Sequence, residues 1–517
     1  MRTFSFMRNA AVGLVCKMLV LVLNFVVRTA FAYTLSVEYL GIDSLFANVL
    51  VILNLSDLGL SSVIVFALYK PLAEGDESRV KSLLHFYCNT YRILGFVFLG
   101  AGAALTPFLP YLLTGSTDLV NIYIVYALYL ARTVSSYWFF AYKKALLTAD
   151  QKEYVVTLIN TGATLVMVAV QVALLVLLSD QPELSFYLYV SIGAVTTIAG
   201  NAMTAWYVDR NYPYTLDANA EKLNEAERNS ILKNVYGGAL HKVSSAINNS
   251  ATSLIISSLI GVIFVGYYSN YAILLTGIMA ILGAVFAPVV ASVGNLNAIE
   301  SVEKSELVFR SLHLACFWAY GLSCVAFLIL ANPFITIWLG GEWVLGMDVV
   351  VALTLKLAID GLMGAVISYR QASGLYWNTR YRYVASVFVN IASALLFVHL
   401  GFGVAGAILG CCCGEVVALL VDPFVVCREV FNRKPVFFYS MYAKSFVLLA
   451  ATAAVLYLAC VPLGGSGLIP FFLKLALCVI VPNVVWYAVY RSSVEFRYLS
   501  SLLIPLLHRF SKTRKDG

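Results

Sequence analysis

Charge is what this chain has least of. Only 12% of its 517 residues are Asp, Glu, Lys or Arg, whereas 61% are hydrophobic. A water-soluble protein of this length has no interior large enough for that much apolar surface, so the composition excludes a soluble enzyme and implies a polytopic membrane protein. The marks of familiar chemistry are missing too. The 10 cysteines include no Cys-x-x-Cys pair, and Cys411-Cys412-Cys413 sits in an apolar run and reads as small-residue packing. There is no glycine-rich phosphate loop, no metal spacing, and no carboxylate pair with a Cys or His partner. Neither an enzyme nor a cofactor or metal site is expected.

The cations are also absent from half of the connections. Apolar runs of about 20 residues recur at 9–34, 43–69, 92–112, 119–141, 155–178, 185–208, 240–261, 266–294, 311–331, 348–369, 383–399, 403–427, 445–462 and 469–490. Only helices or closed barrels satisfy the backbone in hydrocarbon, and runs this long are helices, which makes an all-α protein of about fourteen spans. The connections 35–42, 113–118, 179–184, 262–265, 332–347, 400–402 and 463–468 contain no Lys or Arg. The alternate set carries Arg79, Lys143, Lys152, Arg210, Lys304, Arg310, Arg370, Arg382, Arg433 and Lys444, among others. The positive-inside rule then places both termini and the basic connections in the cytoplasm. The net charge of +7 therefore reports membrane topology and no nucleic-acid partner. Residues 209–239 read as a cytoplasmic amphipathic linker helix, and 491–517 as a basic amphipathic tail on an anionic inner leaflet.

The chain repeats itself. At an offset of 225, Lys17 matches Lys242, Asn24 matches Asn249, Val37 matches Val262, Gly41 matches Gly266 and Ser44 matches Ser269. A second block, 141–154 against 368–381, pairs Tyr142 with Tyr369 at 369 − 142 = 227. Six helices separate the copies, so both enter from the same side: a parallel repeat about an axis along the membrane normal, with a site expected between the copies. The expected organisation is an N-lobe at 1–208, the linker at 209–239, a C-lobe at 240–427, two further helices within 428–490, and the tail at 491–517. Since the first helix matches an internal one, Ala30-Phe31-Ala32 is not expected to be a signal-cleavage site.

Ionisable residues inside the spans are costly and mark candidate sites. Lys17, Asn24 and Arg28 share one face of the first helix. His241, Ser245, Asn248 and Thr252 form a polar stripe on the equivalent seventh helix. The expectation is that both stripes face a cavity, where Lys17, Asn24, Arg28, Arg132, His241, Lys242 and Asn248 contact an anionic ligand. Guanidinium groups suit a phosphate through forked hydrogen bonds. A competing reading pairs Arg28 with Asp57 as a strut. Lys356 and Asp360, four residues apart, are expected to pair along one helix. For Glu415, and for Asp57 and Asp360, coupling to a proton or sodium ion and plain charge pairing both remain open.

Several short segments carry a family resemblance: Ser56-Asp57-Leu58-Gly59-Leu60, Tyr69-Lys70-Pro71-Leu72, Ala149-Asp150-Gln151-Lys152, Gly266-Tyr267-Tyr268-Ser269-Asn270-Tyr271, Gly294-Asn295-Leu296 and Ile337-Trp338-Leu339-Gly340. In their order and spacing the chain resembles, over essentially its whole length, the Wzx-type polysaccharide flippases of the multidrug/oligosaccharidyl-lipid/polysaccharide (MOP) exporter superfamily. The resemblance implies two six-helix lobes around a central cavity and alternating access. It further implies export of undecaprenyl-diphosphate-linked oligosaccharide across a bacterial cytoplasmic membrane, alongside a polysaccharide polymerase and chain-length machinery. Similar flippases often carry an acid midway along the seventh helix, where this chain has Thr252-Ser253. A lipid II flippase and a multidrug/cation antiporter of the same superfamily are the alternatives.

Overall fold

The computed structural model describes residues 2–53, 60–114, 119–217, 223, 225–375, 377–464 and 467–501. Those residues are nearly all helical and fall into two compact units, Met1–Ser269 and Asn270–Gly517.

The first unit holds α1 (Arg2–Thr34), α2 (Val37–Leu53), α3 (Leu60–Glu74), α4 (Glu77–Leu105), α5 (Leu109–Leu112), α6 (Ile122–Trp138), α7 (Lys144–Ala149), α8 (Glu153–Leu177), α9 (Pro182–Asn211), α10 (Glu225–Leu259) and the start of α11 (Val262–Ile299). The punctuation is local. Gly75, at φ +72°, ends α3, where only glycine adopts a left-handed conformation without strain. Asp76 then caps α4 by accepting the Arg79 N–H at 2.9 Å, and Asn121 caps α6 by accepting the Tyr123 N–H at 3.0 Å. α1 lies along α8. Asn9 donates to the Gln151 carbonyl at 3.0 Å and accepts from the Tyr154 N–H at 3.1 Å, with Arg8 stacked 3.7 Å over the Tyr154 ring.

The second unit continues with α12 (Val302–Trp338), α13 (Met347–Leu362), α14 (Gly364–Ala372), α15 (Arg380–Phe397), α16 (Gly403–Glu429), α17 (Val436–Cys460) and α18 (Leu468–Tyr490). Gly401 (φ +89°) and Gly403 (φ +53°) turn α15 back onto α16. Along that hairpin a Cβ on Gly414 would stand only 2.9 Å from Asn390 Cβ, the close helix approach that small residues allow in membranes. The core gathers Phe309, Phe317, Tyr369, Phe438 and Trp486. Both α18 contacts with indoles are satisfied: Trp486 donates to Thr452 at 3.1 Å and Asn483 accepts from Trp318 at 2.7 Å. These bonds pin α18 to α17 and α12 without leaving a polar N–H in an apolar setting.

Among the described residues nine helical stretches are long and apolar enough to cross a membrane, and the bent pair α13–α14, at 41°, makes a tenth. One of the nine, Arg380–Glu429, is the α15–α16 hairpin. With the shorter or less apolar α2, α6 and α10, helix lies at every one of the roughly fourteen expected spans. Many exposed side chains of these helices are large and apolar, Leu177 (79% exposed) and Ile469 (77%) among them, as a lipid-facing surface requires. The chain is a multi-pass membrane protein.

Three details depart from the sequence expectations. The second span starts at Val37, not at residue 43, because only Leu35 and Ser36 interrupt the helices. The segment expected as a separate surface helix before residue 240 is the first part of α10, which runs without a break from Glu225 to Leu259; no proline interrupts it. Finally, α10 belongs to the first unit, packed on α2. Its buried Ser250, Ser253 and Ser257 explain this, since small side chains at i, i+3 and i+7 let two helices approach. The tail is described only as far as residue 501, and Phe496 and Leu499 pack on the second unit's core.

The repeat is visible in one contact set. A Cβ on Gly41 would overlap the Val262 carbonyl oxygen, and a Cβ on Gly266 would lie 2.5 Å from the Val37 carbonyl oxygen. Gly41 and Gly266 are repeat mates, as are Val37 and Val262. When residue i of one copy touches j of the other and j touches i, the contact is isologous, as a two-fold axis requires.

Candidate functional site

The first unit holds a half-buried charged cluster, Arg28, Asp43 and Arg132, in its spans. Arg28 projects from α1, and its Nη2 donates to Ser269 Oγ at the start of α11. Asp43, two turns into α2, is the first acidic neighbour of that guanidinium, and the Tyr129 hydroxyl of α6 donates to Asp43 Oδ1. One turn along α6, Arg132 reaches toward α9, where a Cβ on Gly193 would meet Arg132 Nη1 at 2.9 Å. Gly193 therefore makes room for the guanidinium. Aromatic rings wall the cluster: Phe31 stands 5.1 Å from Tyr189 and 6.0 Å from Phe186, and Phe46 stands 6.1 Å from Tyr129.

Arg132 and Tyr129 line a cavity of about 240 Å³ with Thr133, Ser136 and Thr197. Counting formal charges, Arg28 and Arg132 against Asp43 leave one positive charge in excess. In a low-dielectric wall that excess attracts an anion far more strongly than it would in water. The two arginines differ in setting. Arg28 donates to Ser269 with Asp43 as an acidic neighbour, whereas Arg132 lies against Gly193 and lines the cavity.

The expected residues are only partly brought together. Lys17 is exposed, and its α-carbon stands roughly 16 Å from that of Arg28 along α1, at 1.5 Å per residue. One phosphate cannot bridge them. Asn24 and Asn248 are half-buried and Lys242 is exposed. The backbone of His241 lies in α10, but its side chain and all of Asp57 lie outside the described residues. Thr252, expected to face a cavity, is buried at 4% exposure, and its neighbour Ser253 accepts from Asn48 at 3.2 Å. This part of the α10 stripe serves packing. In the second unit Lys356 donates to Asp360 at 2.7 Å along α13, the pairing that their spacing implies. Glu415 of α16 is half-buried within electrostatic reach of both.

Sequence reasoning misses Asp43, because an expected span beginning at residue 43 puts it at the span's mouth. It also misses Asp422, which lies fully buried between Arg382 (Nε at 2.8 Å) and Arg370 (Nε at 3.4 Å). Both arginines are themselves largely buried and lie over the Tyr383 ring at 4.2 and 5.5 Å. The cue was an acid directly before Pro423 in an apolar run, with arginines at the ends of neighbouring spans.

Among solved structures, a lipid II flippase, MurJ, in an inward closed conformation matches with a TM-score of 0.65 at 14% identity, covering 93% of this chain and 98% of that one. An inward-facing multidrug resistance MATE family transporter of the MOP superfamily matches with a TM-score of 0.62 at 16% identity, covering 81% and 98%. The fold is that of the MOP superfamily transporters. A MOP superfamily transporter from Pyrococcus furiosus, described as having a binding pocket of reversed polarity, also matches, with a TM-score of 0.53 at 14% identity over 83% of this chain and 96% of that one. No family model and no curated protein sequence matches the chain.

Proposed function

We propose that this protein is a flippase that moves undecaprenyl-diphosphate-linked oligosaccharide units across a bacterial cytoplasmic membrane by alternating access, supplying cell-surface polysaccharide synthesis. The observation that carries the reading is Arg132: a half-buried arginine lining a cavity with Tyr129, Thr133, Ser136 and Thr197, in a cluster with one surplus positive charge. A diphosphate offers the complementary charge and the paired oxygens that a planar fork grips. The net-positive lining speaks against a carrier of cationic drugs. A polymerase and chain-length proteins would act on the exported units. Glu415, beside the Lys356–Asp360 pair, is the acid best placed to couple transport to a proton or sodium ion.

The test is a strain lacking the protein. It should accumulate lipid-linked oligosaccharide on the inner leaflet, and the wild-type gene should clear it. Arg132→Gln should slow clearance at least about tenfold at normal protein level, the loss of one charge-assisted hydrogen-bonding group, while Arg132→Lys keeps the charge without the fork and falls between. Full export by Arg132→Ala rejects the assignment. Lipid II is the second reading, favoured by the MurJ structure's 93% coverage of this chain. Rescue of a strain without lipid II flippase activity, with no oligosaccharide accumulation in the deletion strain, would select it.

A further inference from the structure

A second polar cavity, of about 370 Å³, lies in the second unit and shares no residue with the arginine cluster. α12 contributes Arg310 and His313, one turn apart; α17 contributes Phe437, Lys444 and Ser445; the chain after α18 brings Glu495. The floor is built. His313 is 2% exposed, with Nε2 3.1 Å from Ser445 Oγ.

The wall is built as well. Arg310 Nη2 donates to Glu306 Oε1, and the other oxygen of Glu306 takes Arg433 Nη1 at 3.0 Å. The guanidinium of Arg310 also lies 5.4 Å over the Phe437 ring. These contacts fix its plane while using few of its five donors. Lys444 is exposed beside it. Arg310, Arg433 and Lys444 against Glu306 and Glu495 leave one positive charge in excess. Both signs are displayed within one cavity, so a ligand carrying a phosphate and an ammonium fits better than a plain anion, which Glu495 would repel.

Position selects the source. The cavity sits where α12 begins and α17 begins, beside the basic connection 428–435, and basic pockets between helices at that depth meet lipid headgroups. From there α17 runs on with exposed aliphatic side chains, Val447 at 65%, Val455 at 65% and Leu458 at 69%, a surface for acyl chains. We propose that this cavity binds the headgroup of an amine-bearing phospholipid, Arg310 and Lys444 holding the phosphodiester and Glu495 the ammonium.

The experiment measures binding, not transport, so it stands apart from the flippase reading. Delipidated full-length protein is titrated with phosphatidylethanolamine, phosphatidylglycerol or inorganic phosphate, followed by thermal unfolding and by native mass spectrometry of retained lipid. Phosphatidylethanolamine should be retained and should raise Tm. Lys444→Gln, at an exposed position, should weaken its binding about tenfold with Tm of the lipid-free protein unchanged, the size expected for one charged hydrogen bond. Glu495→Gln should erase the preference for phosphatidylethanolamine over phosphatidylglycerol. The proposal fails if both variants bind phosphatidylethanolamine as wild type does. Equal retention of phosphatidylglycerol by wild type, or a full Tm shift from inorganic phosphate alone, overturns it too, the latter in favour of a soluble anion.

Discussion

Adding one methyl group at Gly266 tests the two-fold contact between the repeats. A Cβ there lies 2.5 Å from the Val37 carbonyl oxygen and 2.8 Å from Val37 Cγ2, where ordinary contact begins at 3.4 Å. The start of α11 must therefore withdraw from α2 by about 3.4 − 2.5 = 0.9 Å. The obstacle is backbone and has no rotamer by which to escape. Overpacking of this kind costs about 1–3 kcal/mol, and each kcal/mol lowers Tm by about 2–4 °C in a unit of this size. Gly41→Ala meets the Val262 carbonyl in the same way and should cost a similar amount. The double variant should cost less than the sum, by about 0.5 kcal/mol or more, because helices already separated for one methyl admit the other. Gly100→Ala is the control: nothing stands near its Cβ position, so it should be neutral or stabilise α4 by up to about 1 kcal/mol. The measurement is thermal unfolding of the purified protein in detergent. Strictly additive losses, or none at either glycine, would refute the reciprocal contact.

Three further outcomes are expected. Asp422→Asn leaves Arg370 and Arg382 buried without their carboxylate and should destabilise by about 3–5 kcal/mol; an unchanged Tm would show that the three groups do not act as a unit. Partial burial lowers the Lys152 pKa, but hydrogen bonds to Asp150 (2.8 Å) and the Tyr212 hydroxyl (2.9 Å) outweigh it and hold Lys152 above the ordinary lysine value. With the folded pKa raised, the stabilisation is complete below about pH 10 and is lost as pH rises through the folded value. The Tm gap between wild type and Lys152→Met should then shrink above pH 10, and a constant gap would contradict it. Single cysteines at Gly341 and Gly464 in a cysteine-free background should react with an impermeant reagent from outside, whereas one at Asn432 should not; the reverse pattern would invert the topology.

The spans were legible because hydrocarbon demands long apolar helices, and among the described residues helix lies at each apolar run. The repeat was legible in part through Gly41 and Gly266, whose identity is dictated by a close approach that no side chain allows. The beginning of α2 was misread because Val37 to Ile42 combines apolar residues with Glu38, which looks like a loop acid. Glu38 in fact sits in the first turn of α2, where a negative charge favours the helix dipole. Reading it as a helix start would have placed Asp43 inside the span and made it an intramembrane acid in need of a partner.

Partners found across a helix turn are visible in sequence, and partners found across the fold are not. Lys356 and Asp360 are four residues apart, so helical geometry alone brings them together. Tyr129 and Asp43 are 86 apart, and Arg28 and Ser269 are 241 apart. The cost of an unpaired charge in the spans says that Arg28 must have partners, but not which. Asp57, the obvious choice by proximity along the chain, lies outside the described residues, and the described packing brings up Ser269 of α11 as a hydrogen-bond partner and Asp43 of α2 as an acidic neighbour. This bears on the role proposed for each arginine. A guanidinium already held by Ser269 with a carboxylate nearby is a poorer anchor for a second anion, which is why the ligand-facing role is proposed for Arg132 and not for Arg28. The charge-reversed pair Arg28→Asp with Asp43→Arg separates the two roles. It should retain substantial transport if Arg28 is a brace, and should abolish it with the protein still folded if Arg28 itself grips the diphosphate.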